Sequence, residues 1–332
     1  MKIVHSLFIF FGILLFSTSI MASPLVSVDW LNNKINLSET AHPDVAVEFG
    51  QKGNIVLIDL RNRIDGGGYD TFLEGHIPTS IHSNYEEDGW RFDVDDGTIG
   101  VIPSQSDFQT LVRSLGINSD SHVVLIPAGV STSDLAASTR SYWTLKVYGH
   151  DNVSILDGGY AAWLAKYPDF IDVGPSDQRP EGNFEASFRP DLYTSTVDVA
   201  GIVDNQDSVV LLDGRPASQF YAEAKHPRAR VAGRLPGADL LFNKDAYDTE
   251  ANAFKALDEL KQVFAEYQNA KVISYCNTGH WAANNWFVLS ELLGNKNATL
   301  YDGSMVEWTS DISLPVDSTG RSNIDKIKDI IG

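Results

Sequence analysis

Cysteine is nearly missing from this sequence: Cys276 is the single one in 332 residues. An intrachain disulfide is therefore excluded, and Cys276 is either a packed bystander or a working thiol. Basic residues are scarce as well. The 25 Lys and Arg face 44 Asp and Glu, a formal net charge of −19, and such a surface repels nucleic acid and anionic membranes. The apolar run at residues 7–16 is about half the ~20 residues of a membrane-spanning helix. There is no His/Cys metal cluster, phosphate-binding glycine loop or dinucleotide fingerprint. Asp93-Val-Asp95-Asp96-Gly97 lacks the downstream Glu of a calcium loop and reads as a solvated acidic turn.

Lys2, the apolar run and small residues around Ala22 and Ser23 read as a cleaved signal peptide over residues 1–22. The mature chain is then expected to be periplasmic or secreted, with no membrane span after processing. Exported proteins usually hold cysteines in disulfides, so a lone thiol there points to chemistry. The length fits two domains of about 150 residues each. We place them at residues 23–165 and 191–332, with a Pro-, Gly-, Asp- and Ser-rich linker at 166–190.

The two halves repeat one another. Asn54-Ile-Val-Leu-Ile-Asp59-Leu-Arg61 is matched by Ser208-Val-Val-Leu-Leu-Asp213-Gly-Arg215, and Gly75-His-Ile-Pro78 by Gly233-Arg-Leu-Pro236. The apolar run His122-Val-Val-Leu-Ile126 is matched by Lys271-Val-Ile-Ser-Tyr275, and Asp157-Gly-Gly-Tyr-Ala-Ala-Trp163 by Asp302-Gly-Ser-Met-Val-Glu-Trp308. Landmarks in one order argue for duplication. The short apolar runs lack polar alternation, which suits strands of a parallel sheet buried on both faces. Between them, apolar spacing predicts helices over residues 108–115, 254–264 and 281–293, the last stopping at Gly294. Strands alternating with helices give an α/β fold, one parallel sheet per half.

Cys276 follows the strand ending at Tyr275 and precedes Asn277-Thr278-Gly279-His280-Trp281, after which a helix begins. Ligand sites in such sheets lie beyond the carboxyl ends of strands. Main-chain N–H groups of the loop and the positive end of the following helix favour an anionic sulfur there.

This loop resembles the active-site loop of the rhodanese family. The paired Asp-x-Arg motifs, Gly233-Arg-Leu-Pro236-Gly237-Ala238 and Tyr301-Asp-Gly-Ser-Met-Val-Glu-Trp308 are similar to that family too. The resemblance covers almost the whole mature chain as two tandem rhodanese-like domains. It implies sulfane-sulfur transfer through a Cys276 persulfide, with no cofactor. It also implies a catalytic C-terminal domain and a supporting N-terminal one, where Ala128 stands at the position matching Cys276. The donor is expected to be a small anion, thiosulfate favoured over 3-mercaptopyruvate, and the acceptor a thiol or cyanide. The loop lacks both the basic residue common in thiosulfate users and the Gly-Ser-Gly common in mercaptopyruvate users, and Gln219 stands where an arginine is expected.

An anionic donor needs local positive charge, so Arg215, Arg234, Arg228 and Arg230 are the candidate substrate-binding residues. His280 is read either as a functional group, a cation that stabilises the thiolate or a hydrogen-bond partner of a substrate oxygen, or as a solvent-facing side chain. Trp281 is read either as a pocket wall or as packing against the N-terminal domain. Two rivals remain. A phosphatase would need five residues between Cys and Arg, and Ala282 stands at the arginine position. A non-enzymatic periplasmic sulfur carrier would hand sulfur only to a protein acceptor.

Overall fold

The computed structural model describes residues 22–39, 54–94, 97–205 and 208–320. The signal-peptide expectation and the Asp95-Asp96 pair lie outside the described residues. The N-terminal domain holds strands β1 (Leu25–Val26), β2 (Ile55–Asp59), β3 (Ile81–His82), β4 (His122–Ile126) and β5 (Val153–Leu156). Helices α1 (Val28–Glu39), α2 (Tyr69–Glu74), α3 (Gln105–Ser114), α4 (Thr132–Val147) and α5 (Gly159–Lys166) alternate with them. The C-terminal domain repeats the plan with β6 (Tyr193–Thr194), β7 (Val210–Asp213), β8 (Asp239–Leu240), β11 (Val272–Tyr275) and β12 (Ala298–Tyr301). A short antiparallel ribbon, β9 (Tyr247–Asp248) and β10 (Ala253–Phe254), is inserted. Its helices are α6 (Thr196–Asn205), α7 (Ala217–Phe220), α8 (Leu257–Val263), α9 (Ala282–Phe287) and α10 (Ser304–Ser310).

The sheets run β1-β5-β4-β2-β3 and β6-β12-β11-β7-β8, every pair parallel. The two orders are the same topology twice, as the repeated landmarks require. Val123, Val124, Leu125 and Ile126 are all buried, because helices cover both faces of the sheet. Truncating one of these to Ala costs about 2–5 kcal/mol. Residues 167–189 carry no helix or strand but are hydrogen-bonded along the N-terminal domain, through Gly182 to Arg113, Phe184 to Ile117 and Ser187 to Tyr148.

Helix α4 has almost no exposed face: every residue from Asp134 to Val147 is buried. It is wedged between its own sheet and α9 of the other domain, so small and polar residues such as Ala136, Ser138 and Thr139 are buried as fully as Leu135 and Trp143. One apolar cluster runs through both domains and contains Tyr85, Leu135 and Tyr142 together with Cys276, Ala282 and Trp286. The helix expected over residues 281–293 is α9 followed by a π-helical turn, Val288–Leu292, and Gly294 ends it at φ +76°. No helix among the described residues is long and apolar enough to cross a membrane.

Candidate active site

Cys276 sits just past the carboxyl end of β11, the central strand, between β12 and β7. Its loop is folded back by Ser304, at the start of α10. The Ser304 hydroxyl accepts the N–H groups of Cys276 and Gly279, each at 3.1 Å, and donates to the Tyr301 carbonyl. Ser304 holds a left-handed backbone, φ +51°, which a non-glycine residue adopts at a cost of about 1–2 kcal/mol; the hydroxyl's three bonds offset that strain. The N–H groups of Asn277, Thr278, His280 and Trp281 have no acceptor among the described residues. Gly279 has φ +69°, and a Cβ there would lie 2.2 Å from Arg140 Nη1 and 2.7 Å from the Asp302 carbonyl. Only glycine fits so close an approach.

The N-terminal copy of this loop shows what the geometry favours. The Tyr160 and Ala161 N–H groups donate to the carbonyls of Pro127 and Ala128, as those of Met305 and Val306 donate to Cys276 and Asn277. This register puts Pro127, not Ala128, opposite Cys276, which corrects the sequence alignment by one residue; the N-terminal loop is shorter. After Pro127, three successive N–H groups converge on one carboxylate. Ala128 donates to Asp134 Oδ1 at 2.7 Å, and Gly129 and Val130 to Oδ2 at 2.6 and 3.0 Å.

The thiol itself is not open to solvent. Cys276 is 1% exposed. The N-terminal domain covers it. The His280 Nε2–H donates to the Ser133 carbonyl at 2.9 Å, so Nδ1 is an acceptor and takes the Tyr85 hydroxyl at 2.9 Å. Burial first, then the Arg91 charge, lowers His280 to about 3. It is therefore neutral at ordinary pH, neither a cation beside the sulfur nor a solvent-facing group. The Trp281 Nε1–H donates to Ser133 Oγ at 2.9 Å, the packing against the N-terminal domain that was one of its two readings. Asn284 donates to the carbonyl and hydroxyl of Thr132 and accepts from Thr139, tying α9 to α4. Arg140 of α4 pairs with Asp302 through Nη2 and Oδ1, both side chains being almost fully buried. The second Asp302 oxygen accepts the Ile102 N–H at 3.1 Å. Arg140 Nε and Nη1 have no partner.

The same geometry commits three of the candidate arginines, Arg215, Arg234 and Arg230, to other partners and leaves the Arg228 side chain exposed. Arg215 lies near Cys276, but its Nε and Nη2 are committed to Asp213 and the Gly233 carbonyl. Arg61 repeats these contacts with Asp59 and the Gly75 carbonyl in the domain without a cysteine. A clamp present in both copies ties a strand end to the following loop; it is not a substrate hand. Burial pulls the Arg215 pKa down, but the Asp213 carboxylate raises it overall. Arg234 is spent on the carbonyls of Phe220 and Thr319 and on Asp317, holding the C-terminal segment. Arg230 is tied to Thr309. Arg228 is exposed beside His226, whose imidazole is lowered by burial and then by the charges of Arg91, Lys225 and Arg228. The Arg91 charge thus acts on both His226 and His280. Asn277 donates to Gln219 Oε1 at 2.9 Å, in place of the expected arginine, and its own Oδ1 is buried without a partner. A hollow of about 400 Å³ lined by Arg63, Glu86, Arg91 and Asp93 lies on the N-terminal domain. It shares Arg91 with the loop's surroundings but includes no loop residue, so it is not the chemical centre. No cluster of three or more metal-ligating groups occurs among the described residues.

Sequence reasoning missed Tyr85, Arg91, Ser133, Asp134 and Arg140, all contributed by the N-terminal domain. Tyr85 and His280 are 195 residues apart, and no local pattern joins them. Ser304 was legible only as part of a repeated landmark.

Residues 42–166 and 196–311 each match the rhodanese-like domain family. A 3-mercaptopyruvate sulfurtransferase of Escherichia coli is 30% identical over 302 residues, covering 88% of this chain and 97% of that protein. A thiosulfate sulfurtransferase of Corynebacterium glutamicum is 30% identical over 293 residues, covering 84% and 92%. Among solved structures, the 3-mercaptopyruvate sulfotransferase of Escherichia coli superposes with a TM-score of 0.66 at 27% identity, covering 85% of this chain and 99% of that one. With a duplicated parallel fold, a cysteine loop at the end of the central strand and these matches, the chain belongs to the rhodanese family, with two rhodanese-like domains in tandem.

Proposed function

We propose that this chain transfers a sulfane sulfur from a small anionic donor, thiosulfate before 3-mercaptopyruvate, to a thiol or cyanide through a persulfide on Cys276. It is an enzyme of the sulfurtransferase type, as its relatives are named. The observation that carries the mechanism is the N-terminal loop, whose three consecutive amides hold a carboxylate. The Cys276 loop has the same origin, and its Asn277 and Thr278 amides are uncommitted. Such a nest stabilises negative charge on sulfur before and after transfer.

In the first half-reaction the Cys276 sulfur attacks the outer sulfur of thiosulfate. A new S–S bond forms, the S–S bond of the donor breaks, and sulfite leaves with the electron pair. In the second, the acceptor's nucleophilic atom takes the outer sulfur, and Cys276 leaves as thiolate. Because the thiol is buried, the donor reaches it only when the domain seam parts. Arg91, whose charge acts on both His280 and His226, supplies positive charge at that seam within an otherwise acidic protein.

The test is a thiosulfate:cyanide assay, with 3-mercaptopyruvate in parallel, on the wild type and Cys276→Ser. The variant should lose transfer and keep its melting temperature. Retained transfer would refute the assignment. Transfer seen only with an added protein acceptor would favour the sulfur-carrier reading.

A further inference from the structure

Asp134 is a buried carboxylate in the domain that has no cysteine, and the reaction does not use it. Three loop amides grip it, and Ser131 Oγ accepts the Asp134 N–H at 3.1 Å, so the entry to α4 is fixed at both ends. One residue earlier in the chain, Ser133 gives its carbonyl to His280 and its hydroxyl to Trp281, two consecutive residues of the Cys276 loop. Thr132, the next one back, holds Asn284 and Asn243 of the C-terminal domain. The first turn of α4 therefore carries several of the contacts that hold the loop, alongside Tyr85 and Arg140, and it is anchored through the Asp134 carboxylate.

We propose that Asp134 is a positioning residue for the Cys276 loop: the anion nest of the cysteine-free domain grips this carboxylate, and the gripped turn sets Ser133 against His280 and Trp281. The N-terminal domain on this account keeps the ancestral loop geometry, closes it on an internal anion, and uses it as a fixed abutment for the working loop. The inference rests on the proposed role of Cys276 for its kinetic readout, so one readout is chosen that does not depend on turnover.

Burial pushes Asp134 up to about 6, against the three amide donors. Asp65, on the turn beside α4, raises it further, and Tyr247 of the ribbon also faces it. Protonation places an O–H among three N–H donors, which weakens the grip. Transfer by the wild type should therefore decline as pH falls through about 6.

The experiment compares wild type, Asp134→Asn, Ser133→Ala, His280→Gln and the double variant Asp134→Asn with His280→Gln. A carboxamide turns its NH2 toward amide donors, so Asp134→Asn should lower kcat for thiosulfate:cyanide transfer roughly tenfold, about 1.4 kcal/mol, with a smaller change in KM, and should remove the acid limb of the pH profile. Ser133→Ala should shift kcat in the same direction by less. The double variant should be no worse than His280→Gln alone, because both act on one contact. Alkylation of Cys276 by iodoacetamide, read by mass, should be roughly tenfold faster in Asp134→Asn, and this holds whatever the transfer activity. A kcat within twofold of wild type, an unchanged acid limb, or unchanged alkylation would each overturn the inference. Loss of transfer in the wild type with the alkylation difference intact would instead count against the sulfurtransferase reading alone.

Discussion

The Arg140–Asp302 pair spans the seam over Cys276, and its two partners should not be equivalent. Asp302 has a second bond, to the Ile102 N–H, whereas Arg140 has two nitrogens, Nε and Nη1, already unpartnered and, besides the pair, a 3.3 Å contact to the Gly100 carbonyl and the face of Trp143 at 4.5 Å. Asp302→Ala leaves a buried guanidinium uncompensated, which costs about 3–5 kcal/mol. Arg140→Met leaves a carboxylate that keeps one amide donor, and it deletes two orphan donors whose burial itself costs about 1–3 kcal/mol each; its net cost should be about 1–2 kcal/mol. If the pair holds the seam closed, reagent access to Cys276 scales with the opening equilibrium, a factor of ten for about 1.4 kcal/mol. Iodoacetamide should then label Asp302→Ala at least roughly a hundredfold faster than wild type and Arg140→Met about tenfold faster, with the double variant nearer Arg140→Met. Equal labelling of the three proteins, or faster labelling of Arg140→Met than of Asp302→Ala, would refute this account of the seam.

Gly279→Ala forces a Cβ into 2.2 Å of Arg140 Nη1 at a left-handed backbone, and should cost about 3 kcal/mol from strain and overpacking together. Gly237→Ala has φ +75° but open space around it, so it carries only the backbone share, about 1 kcal/mol; urea midpoints of the two separate these contributions. Acid stability follows from the buried imidazoles. His122 is lowered to about 4 and His280 to about 3, mainly by burial, from an unfolded value near 6.5. Both bind fewer protons folded than unfolded, so their share of stability is complete above about pH 6.5 and is lost as pH falls toward 4 and then 3. Asp134 acts with the opposite sign between about 4 and 6. Urea midpoints from pH 7 to 4 should fall, and His122→Gln should flatten the decline; an unchanged slope would contradict it.

What was legible in the sequence is what neighbouring residues determine. Strands β4 and β11 are read from short, mainly apolar runs, Val123-Val-Leu-Ile126 and Val272-Ile-Ser-Tyr275, because a parallel sheet buries both faces. Asp59 with Arg61 and Asp213 with Arg215 are i, i+2 pairs at a strand end, visible as repeated Asp-x-Arg, although their purpose as clamps emerged only from the carbonyls they reach. The Cys276 loop was legible because strand, loop and helix follow in order. The cover of the loop was not. Tyr85, Ser133 and Arg140 meet it through domain docking, and α4 gives no apolar stripe because both its sides are buried. Arg234 and Arg230 were misread for a related reason: a basic cluster in sequence is scattered in space, each side chain taken by a different carbonyl.

The central claim is that Cys276 carries sulfur, and the direct measurement is the intact mass of the protein after thiosulfate, with excess donor removed and no acceptor added. A gain of about 32 Da, lost on adding cyanide and absent in Cys276→Ser, is the predicted result. An unchanged mass under conditions where the wild type turns over, or the same gain in Cys276→Ser, would contradict it.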